Sequence, residues 1–420
     1  MSWNVQGLFR KLSQVNFVEF CKIYDIFSCC EIHNCNENKM KDTFPDHDVY
    51  FSKRKTLNGG GIAVFVRKIF KRFITNIDVT LDECIVLLMN RDFTGFDKDL
   101  MCCFPYIPHE YSMVFDKNKV KGMELFINLY ESLSLRFGDV HWVIGGDLNA
   151  RTGILTDVIQ IRNLHLYINA LNGADFLFDN TICKDRTSRD PHFINSYGRQ
   201  LIDFLKCNSL CIVNGRTSGD YLGNITCIAN KGKTIVDYYV VSRNIHNFVK
   251  SFNVIPRPES DHFPITMSLS CMICSEPDNV NTDIACHVIK PLYWKSSVTD
   301  GYIQNLDVHL QNNHESFMKC MDTNDVDSAN EILKTCIRNA SSNMYSKRTL
   351  NKNNQPKWWD KELDLLKTLK YQNLHKFHFT NDDNDLDAYL QSKRMFKNTC
   401  VMKQKEYDRY TINELIKTSQ

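Results

Sequence analysis

The sequence predicts a layered α/β domain followed by a more helical carboxy-terminal region. Up to about residue 270, short β-branched or aromatic runs alternate with stretches of helical spacing, the pattern of sheet layers covered by helices. Of 420 residues, 43% are hydrophobic and 24% charged, enough apolar mass for a sizeable core. Past Cys274 a stretch rich in Glu, Asp, Asn and Pro (275–283) breaks the alternation, and the later pattern is helical or irregular. The boundaries expected from this are 1–270 for the α/β domain, 271–352 for a linker with helical segments, and 353–420 for a helical tail.

Along the chain, Leu8, Leu12, Val15, Val18 and Cys21 fall on one face of an early helix. The run Ile26 to Cys30 ends at Glu31, and strands are expected at Gly61 to Val66 and Cys84 to Met89. Helical spacing returns through Leu125, Leu129 and Leu133. His141 to Ile144 reads as a buried strand stopped by Gly145 and Gly146. A helix through Leu201, Ile202 and Leu205 precedes strands at Leu210 to Val213, Thr234 to Val241 and Ile265 to Leu269. From Lys357 to Asn413 the spacing gives one or two exposed helices, interrupted by the polar stretch Thr380 to Asp385.

Lys plus Arg total 51 against 49 for Asp plus Glu, a formal charge of +2, so any polyanion site must be organised locally. The 17 cysteines are scattered, and Met1 to Val5 lack the basic and apolar regions of a secretory signal. No apolar run reaches the roughly 18 residues that cross a bilayer. A reducing, nuclear or cytoplasmic compartment is the expectation.

The chemistry concentrates at polar residues beside strand ends and turns: Asn4, Glu31, Asp147 with Asn149, Asp237, and Asp261 with His262. Taken singly each has an ordinary structural explanation: Asp-x-Asn after a glycine pair caps turns, and Ser-Asp-His caps helices. Together they suit phosphate-ester hydrolysis, which needs an activated water, charge stabilisation on phosphorus and help for the leaving oxygen. Hard carboxylate oxygens hold Mg²⁺, with Mn²⁺ as an alternative. Asp147 can take a proton from water with Asn149 orienting it, and a carboxylate such as Asp237 can fix the tautomer of His262 beside the phosphate.

Trp3-Asn4-Val5-Gln6-Gly7-Leu8, Gly145-Gly146-Asp147-Leu148-Asn149-Ala150, Val236-Asp237-Tyr238 and Ser260-Asp261-His262-Phe263-Pro264 occur in the order of the endonuclease/exonuclease/phosphatase superfamily. Over residues 1–270 the chain resembles the apurinic-type endonuclease of non-LTR retrotransposons. Tyr197-Gly198-Arg199-Gln200-Leu201, Asn214-Gly215-Arg216, Gly219-Asp220 and Thr226 resemble that branch. The resemblance implies an α/β two-sheet sandwich flanked by helices and a Mg²⁺-dependent endonuclease that nicks duplex DNA to leave a 3′-hydroxyl. It puts Asn4, Glu31 and Asp261 at the metal, Tyr106 beside the phosphate, Asp147 and Asn149 at the water, Asp237 behind the histidine and His262 on the phosphate. Glu31 sits in Cys29-Cys30-Glu31-Ile32-His33, where the family commonly shows Leu-Gln-Glu, so its assignment rests on spacing. Pro356-Lys357-Trp358-Trp359-Asp360 and the helical stretch after it resemble the connector to reverse transcriptase, but no polymerase palm motif follows; Asn381-Asp382-Asp383 reads as a polar loop. The alternatives are a repair-type apurinic endonuclease or phosphomonoesterase of the same fold, and an idle, domesticated interaction protein. A Trp-Cys-Asp-Arg motif of inositol-polyphosphate phosphatases does not precede Ser260.

Other features read more simply. Cys271, Cys274, Cys286 and His287 invite zinc, but Cys271 continues a strand and packs as a small hydrophobe. His375 and His378 can share a helix face without completing a site. Trp358 and Trp359 are expected to pack against the catalytic domain, with base stacking the competing use. Lys53, Arg54 and Lys55 form a solvated loop or a phosphate contact.

Overall fold

A computed structural model describes residues 1–33, 35–52, 60–79, 81–112, 122–158, 185–229, 232–271, 299–323, 325–340 and 356–418. Lys53, Arg54, Lys55, Cys274, Cys286 and His287 lie outside the described residues. The strands in chain order are β1 (Ser2–Asn4), β2 (Ile26–Cys30), β3 (His47–Ser52), β4 (Ile62–Arg67), β5 (Ile74–Ile77), β6 (Cys84–Met89), β7 (Leu100–Pro105) and β8 (His141–Asp147), then β9 (Leu210–Ile212), β10 (Cys227–Ala229), β11 (Gly232–Thr234), β12 (Asp237–Ser242), β13 (Val249–Val254) and β14 (Ile265–Leu269). The helices are α1 (Val15–Lys22), α2 (Glu37–Thr43), α3 (Arg91–Thr94), α4 (Gly122–Phe137), α5 (Ser196–Cys207), α6 (Thr299–Asn312), α7 (His314–Asp322), α8 (Val326–Ala340), α9 (Lys361–Thr380) and α10 (Asp383–Thr418).

Two six-stranded mixed sheets are formed, ordered β13-β14-β1-β2-β4-β3 and β5-β6-β7-β8-β12-β9, with β10 and β11 a separate hairpin. The two-residue side-chain period of β4 shows why they stack. Ile62, Val64 and Val66 join the core shared with the second sheet, while Ala63 and Phe65 join a smaller core with Phe17, Cys21 and Met40 of α1 and α2. Phe65 stacks on Phe27 with centroids 4.4 Å apart, and truncating such a buried ring costs about 3–5 kcal/mol. On the other side, Tyr130 of α4 packs on Trp142 of β8 (4.3 Å) and edge-on to Phe204 of α5 (4.8 Å). The layers are therefore helix, sheet, sheet, helix, the flanked two-sheet sandwich that the sequence implied.

The central pair of each sheet, β1–β2 and β7–β8, runs parallel, whereas every other recorded strand pair is antiparallel. Each parallel pair delivers two carboxyl ends to the same edge of its sheet, and the polar residues of interest follow those ends. Three-residue β1 is not an edge: it is bonded to β14 on one side and β2 on the other.

Several local expectations need correction. The early helical face divides into a 3₁₀ turn (Lys11–Ser13) and α1, with Gln14 between them in extended conformation. β8 does not stop at its glycines but runs through them to Asp147. A Cβ at 145 would lie 2.3 Å from the Tyr239 ring and one at 146 would lie 2.0 Å from the Pro105 carbonyl oxygen, so the glycines serve close approach by neighbouring strands. Thr234 to Val241 is not one strand; it breaks at Ile235–Val236 into β11 and β12.

The chain divides into two compact units, Met1–Ser275 with Gln355–Gln420, and Glu276–Asn354. In the second, α6, α7 and α8 bury Ala329, Cys336 and Ala340. In the first, α9 and α10 form a hairpin that is not merely exposed, because Leu374, Phe377 and Tyr389 belong to the sandwich's main core. Asp360 caps α9 by accepting from the Leu363 amide (3.1 Å), and Asn381 ends it in left-handed conformation at φ 54°. No described helix is long and apolar enough to cross a membrane.

Candidate active site

Strand register assembles the site. Asn4 pairs with Cys30 across β1 and β2, so Glu31 leaves the sheet one residue beyond. In the second sheet Tyr106 bridges Asp147, and Asp147 stands directly opposite Asp237, placing three functional residues on one rung. His262 is added by a bridge to Cys227, by the Trp3 indole donating to its carbonyl oxygen (2.8 Å), and by Ser260, whose hydroxyl donates to the Asn4 backbone carbonyl (2.7 Å).

The side chains converge across both sheets. Asn4 Nδ2 donates to Glu31 Oε1 (2.9 Å) and to Asp147 Oδ2 (3.0 Å), and the Tyr106 hydroxyl donates to the same Glu31 oxygen (2.8 Å). Asp147 Oδ1 accepts from the Asn149 amide at 3.0 Å. Asn149 Nδ2 is committed to the Ile107 carbonyl (2.9 Å), which leaves its Oδ1 for another partner. His262 Nδ1 lies 3.1 and 3.0 Å from the two Asp237 oxygens and 3.8 Å from Asp147 Oδ2. Asp147, Asp237 and His262 are buried, and one ligand atom from each lies within 4.8 Å of the others.

Two of these residues occupy left-handed backbone, Glu31 at φ 53° and Asn149 at φ 47°. Asn tolerates that conformation; for Glu it costs of order 1 kcal/mol or more and persists because the surroundings hold it. The Glu31 carbonyl accepts from the Gly7 amide (2.7 Å), and its carboxylate is fixed by Asn4 and Tyr106.

Burial pushes the Asp147 carboxyl up to about 7; the nearby His262 charge opposes this and Asp237 adds to it. Burial alone would lower His262, but the pull of Asp237 foremost, and of Asp147, raises it well above the ordinary histidine range. Burial and the Glu31 charge push the Tyr106 hydroxyl far up, so it stays a donor.

The donor set fits a hard divalent cation. Hydrogen bonds tie Glu31 to Asn4 and Asn4 to Asp147, and Asp147 lies beside Asp237 and His262, so three carboxylates gather about one imidazole, a set of hard oxygen donors. Glu31 Oε2 lies 3.7 Å from His33 Nε2, and the Glu31 side chain keeps 23% exposure. Asp147, Asp237 and His262 are also close enough together to hold an ion. The 3.0–3.1 Å contacts of Nδ1 to Asp237 are hydrogen-bond distances, so this trio is better described as a histidine–carboxylate pair beside Asp147.

Asp261 stands apart. Its carboxylate is ion-paired with Lys393 of α10 at 2.5 Å and is not in the Asp147–Asp237–His262 group. His378 is mostly buried, which lowers its pKa to about 4, and its carbonyl accepts from Arg189 at 2.8 Å. Trp359 packs on Trp358 and Phe396.

Several supporting residues were not assigned roles by sequence reasoning. Thr226 Oγ1 accepts from the Val236 and Asp237 amides (3.1 and 3.2 Å), and Asn214 donates to the Asp237 carbonyl (3.1 Å) while accepting from the Tyr239 amide (3.1 Å). Lys11, buried, donates to the Val5 carbonyl and to Gly7 O (3.3 Å), pinning the turn after Asn4. Both Thr226 and Asn214 lie in stretches singled out for their resemblance, which was the available signal; Lys11 had none.

No family model matches the chain, and no curated protein matches it. Solved structures do align over 64% of it. A 3′–5′ exonuclease from Neisseria meningitidis aligns over 98% of its own length at 16% identity, TM-score 0.43. The endonuclease domain of TRAS1, a telomere-specific non-LTR retrotransposon, aligns over 97% of its length at 14% identity, TM-score 0.41. The catalytic domain of APE2 from Xenopus laevis aligns over 91% of its length at 15% identity, TM-score 0.44. At such distances, function has to be read from the side chains themselves.

Proposed function

We propose that this chain is a divalent-cation-dependent phosphodiesterase acting on duplex DNA, an endonuclease of the retrotransposon type that leaves a 3′-hydroxyl. The observation that carries the reading is the meeting of Asn4, Glu31, Tyr106, Asp147, Asn149, Asp237 and His262 in one cluster, through hydrogen bonds of 2.8–3.1 Å between residues up to 143 positions apart and a 3.8 Å approach of His262 to Asp147.

Glu31 and the side-chain oxygen of Asn4 would hold Mg²⁺ or Mn²⁺, which when bound supplies Lewis-acid charge to the phosphoryl group. Asp147, with its carboxyl near 7, accepts the proton of an attacking water at neutral pH, and Asn149 Oδ1 orients that water. His262 holds a proton readily and directs Nε2 at a phosphoryl oxygen, because Nδ1 is turned to Asp237. Asp237 stabilises the imidazolium without leaving the pair. Tyr106 keeps Glu31 oriented and remains protonated throughout.

The test is nicking of supercoiled plasmid with Mg²⁺, abolished by EDTA and by Asp147→Ala or His262→Ala, on intact and abasic duplexes side by side. Equal cutting by wild type and both variants would attribute the activity to a contaminant and remove the proposal; preference for the abasic duplex would favour a repair-type endonuclease.

A further inference from the structure

The α9–α10 hairpin grips the turn that carries His262. Lys370 of α9 donates to the Pro258 carbonyl (3.3 Å) and Tyr371 to Glu259 Oε1 (3.1 Å). Lys393 of α10 reaches Asp261, the residue immediately before His262. Elsewhere Arg189 donates to the His378 carbonyl (2.8 Å) and Lys233 to Asp383 (2.8 Å), two further contacts that hold the hairpin to the sandwich.

Lys393 makes a closed circuit. Its ammonium donates to Asp261 Oδ1 (2.5 Å) and to the Ile228 carbonyl (3.2 Å), and the Ile228 amide donates to the Asp261 carbonyl (2.8 Å). The next links lead into the site: Cys227 bridges His262, and the Phe263 amide donates to the Thr226 carbonyl (2.7 Å). Thr226 Oγ1 in turn takes the Asp237 amide. One cation from the tail thus ties the backbone ahead of His262 to the strand that orients its partner Asp237. The Lys393 and Asp261 side chains keep 25% and 30% exposure. In a half-buried position such a pair gains more from its fixed geometry than a surface pair does.

We propose that Lys393 is a positioning residue, which acts through Asp261 and Ile228 to set His262, and that the C-terminal hairpin is thereby an integral wall of the catalytic site. This rests on the reading of His262 as the phosphate-side group. It also gives Asp261 a role that needs no metal.

The experiment compares the full chain with Lys393→Met and Lys393→Arg by amide hydrogen exchange and by nicking kinetics. Lys393→Met is expected to speed exchange of the Ile228 and Phe263 amides at least tenfold while the amides of β6 and β7 stay as in wild type. It should lower kcat at least tenfold with KM within about twofold, and Lys393→Arg should restore most of both. Asp261→Asn provides a second variant for the exchange measurement and should reproduce the Lys393→Met pattern. Unchanged exchange at Ile228 and Phe263, or equal acceleration across the whole sandwich, overturns the proposal. Should wild type fail to nick DNA, the phosphodiesterase reading falls, while the exchange pattern still decides whether Lys393 sets the turn.

Discussion

Glu31 and Asp237 are both carboxylates at strand ends in the same side-chain cluster, but their surroundings differ. Asp237 is about 2% exposed and faces the imidazole of His262, so its charge is matched from within the protein. Glu31 keeps 23% side-chain exposure, accepts hydrogen bonds from the neutral groups of Asn4 and Tyr106, and lies 3.7 Å from His33. Under the proposed function, Asp237 steadies the imidazolium while Glu31, oriented by Asn4 and Tyr106, would hold the cation. The difference teaches that surroundings rather than residue type set these two carboxylates apart, and the proposed function then has a proton end and a cation end that can be broken separately.

The largest effect should come from the proton end. Asp237→Asn keeps the shape but removes the charge that fixes the His262 tautomer, and losing such a partner costs up to about 10⁴-fold in kcat. Steady-state nicking rates check this, with the cation concentration for half-maximal rate staying within twofold of wild type. A drop in cation affinity of the same size as the drop in rate would merge the two ends.

A smaller effect separates Asp147 from both. Its carboxyl is held at about 7 in the fold against an ordinary value of 3.8, so the folded protein prefers the protonated form. Its contribution therefore declines as pH rises from about 4 to about 7 and reaches a full penalty of a few kcal/mol above that. The raised His262 value acts with the same sign at higher pH: its stabilisation is complete below 6.5 and fades as pH climbs through the folded value. Thermal unfolding without added metal should show wild type losing stability relative to Asp147→Asn between about pH 4 and about pH 7, with Mg²⁺ closing the gap. A gap that does not vary with pH would mean that Asp147 ionises as an ordinary surface acid.

Much of this was legible in the sequence because the motifs are local. Cys84–Met89 and Ile265–Leu269 match their strands at both ends, and Asp147, Asn149, Asp237 and His262 fall in contiguous stretches whose ordering survives without the fold. What was not legible depends on contacts between distant segments. Gly145 and Gly146 read as a stop, yet they are the places where Tyr239 and Pro105 come closest to β8. The left-handed backbone of Glu31 is set by Asn4, Gly7 and Tyr106, none of which is its neighbour in sequence. Lys393 sits in an ordinary polar stretch of a long helix, and only docking of the hairpin brings it to Asp261, 132 positions away.

Mn²⁺ binding followed by electron paramagnetic resonance tests the division of the site most directly. Wild type and His262→Ala should bind the ion with affinities within about threefold of each other, while Glu31→Gln should lose at least tenfold, the range found when a metal's ligand shell is disturbed. Full affinity in Glu31→Gln, or its loss in His262→Ala alone, would contradict the account.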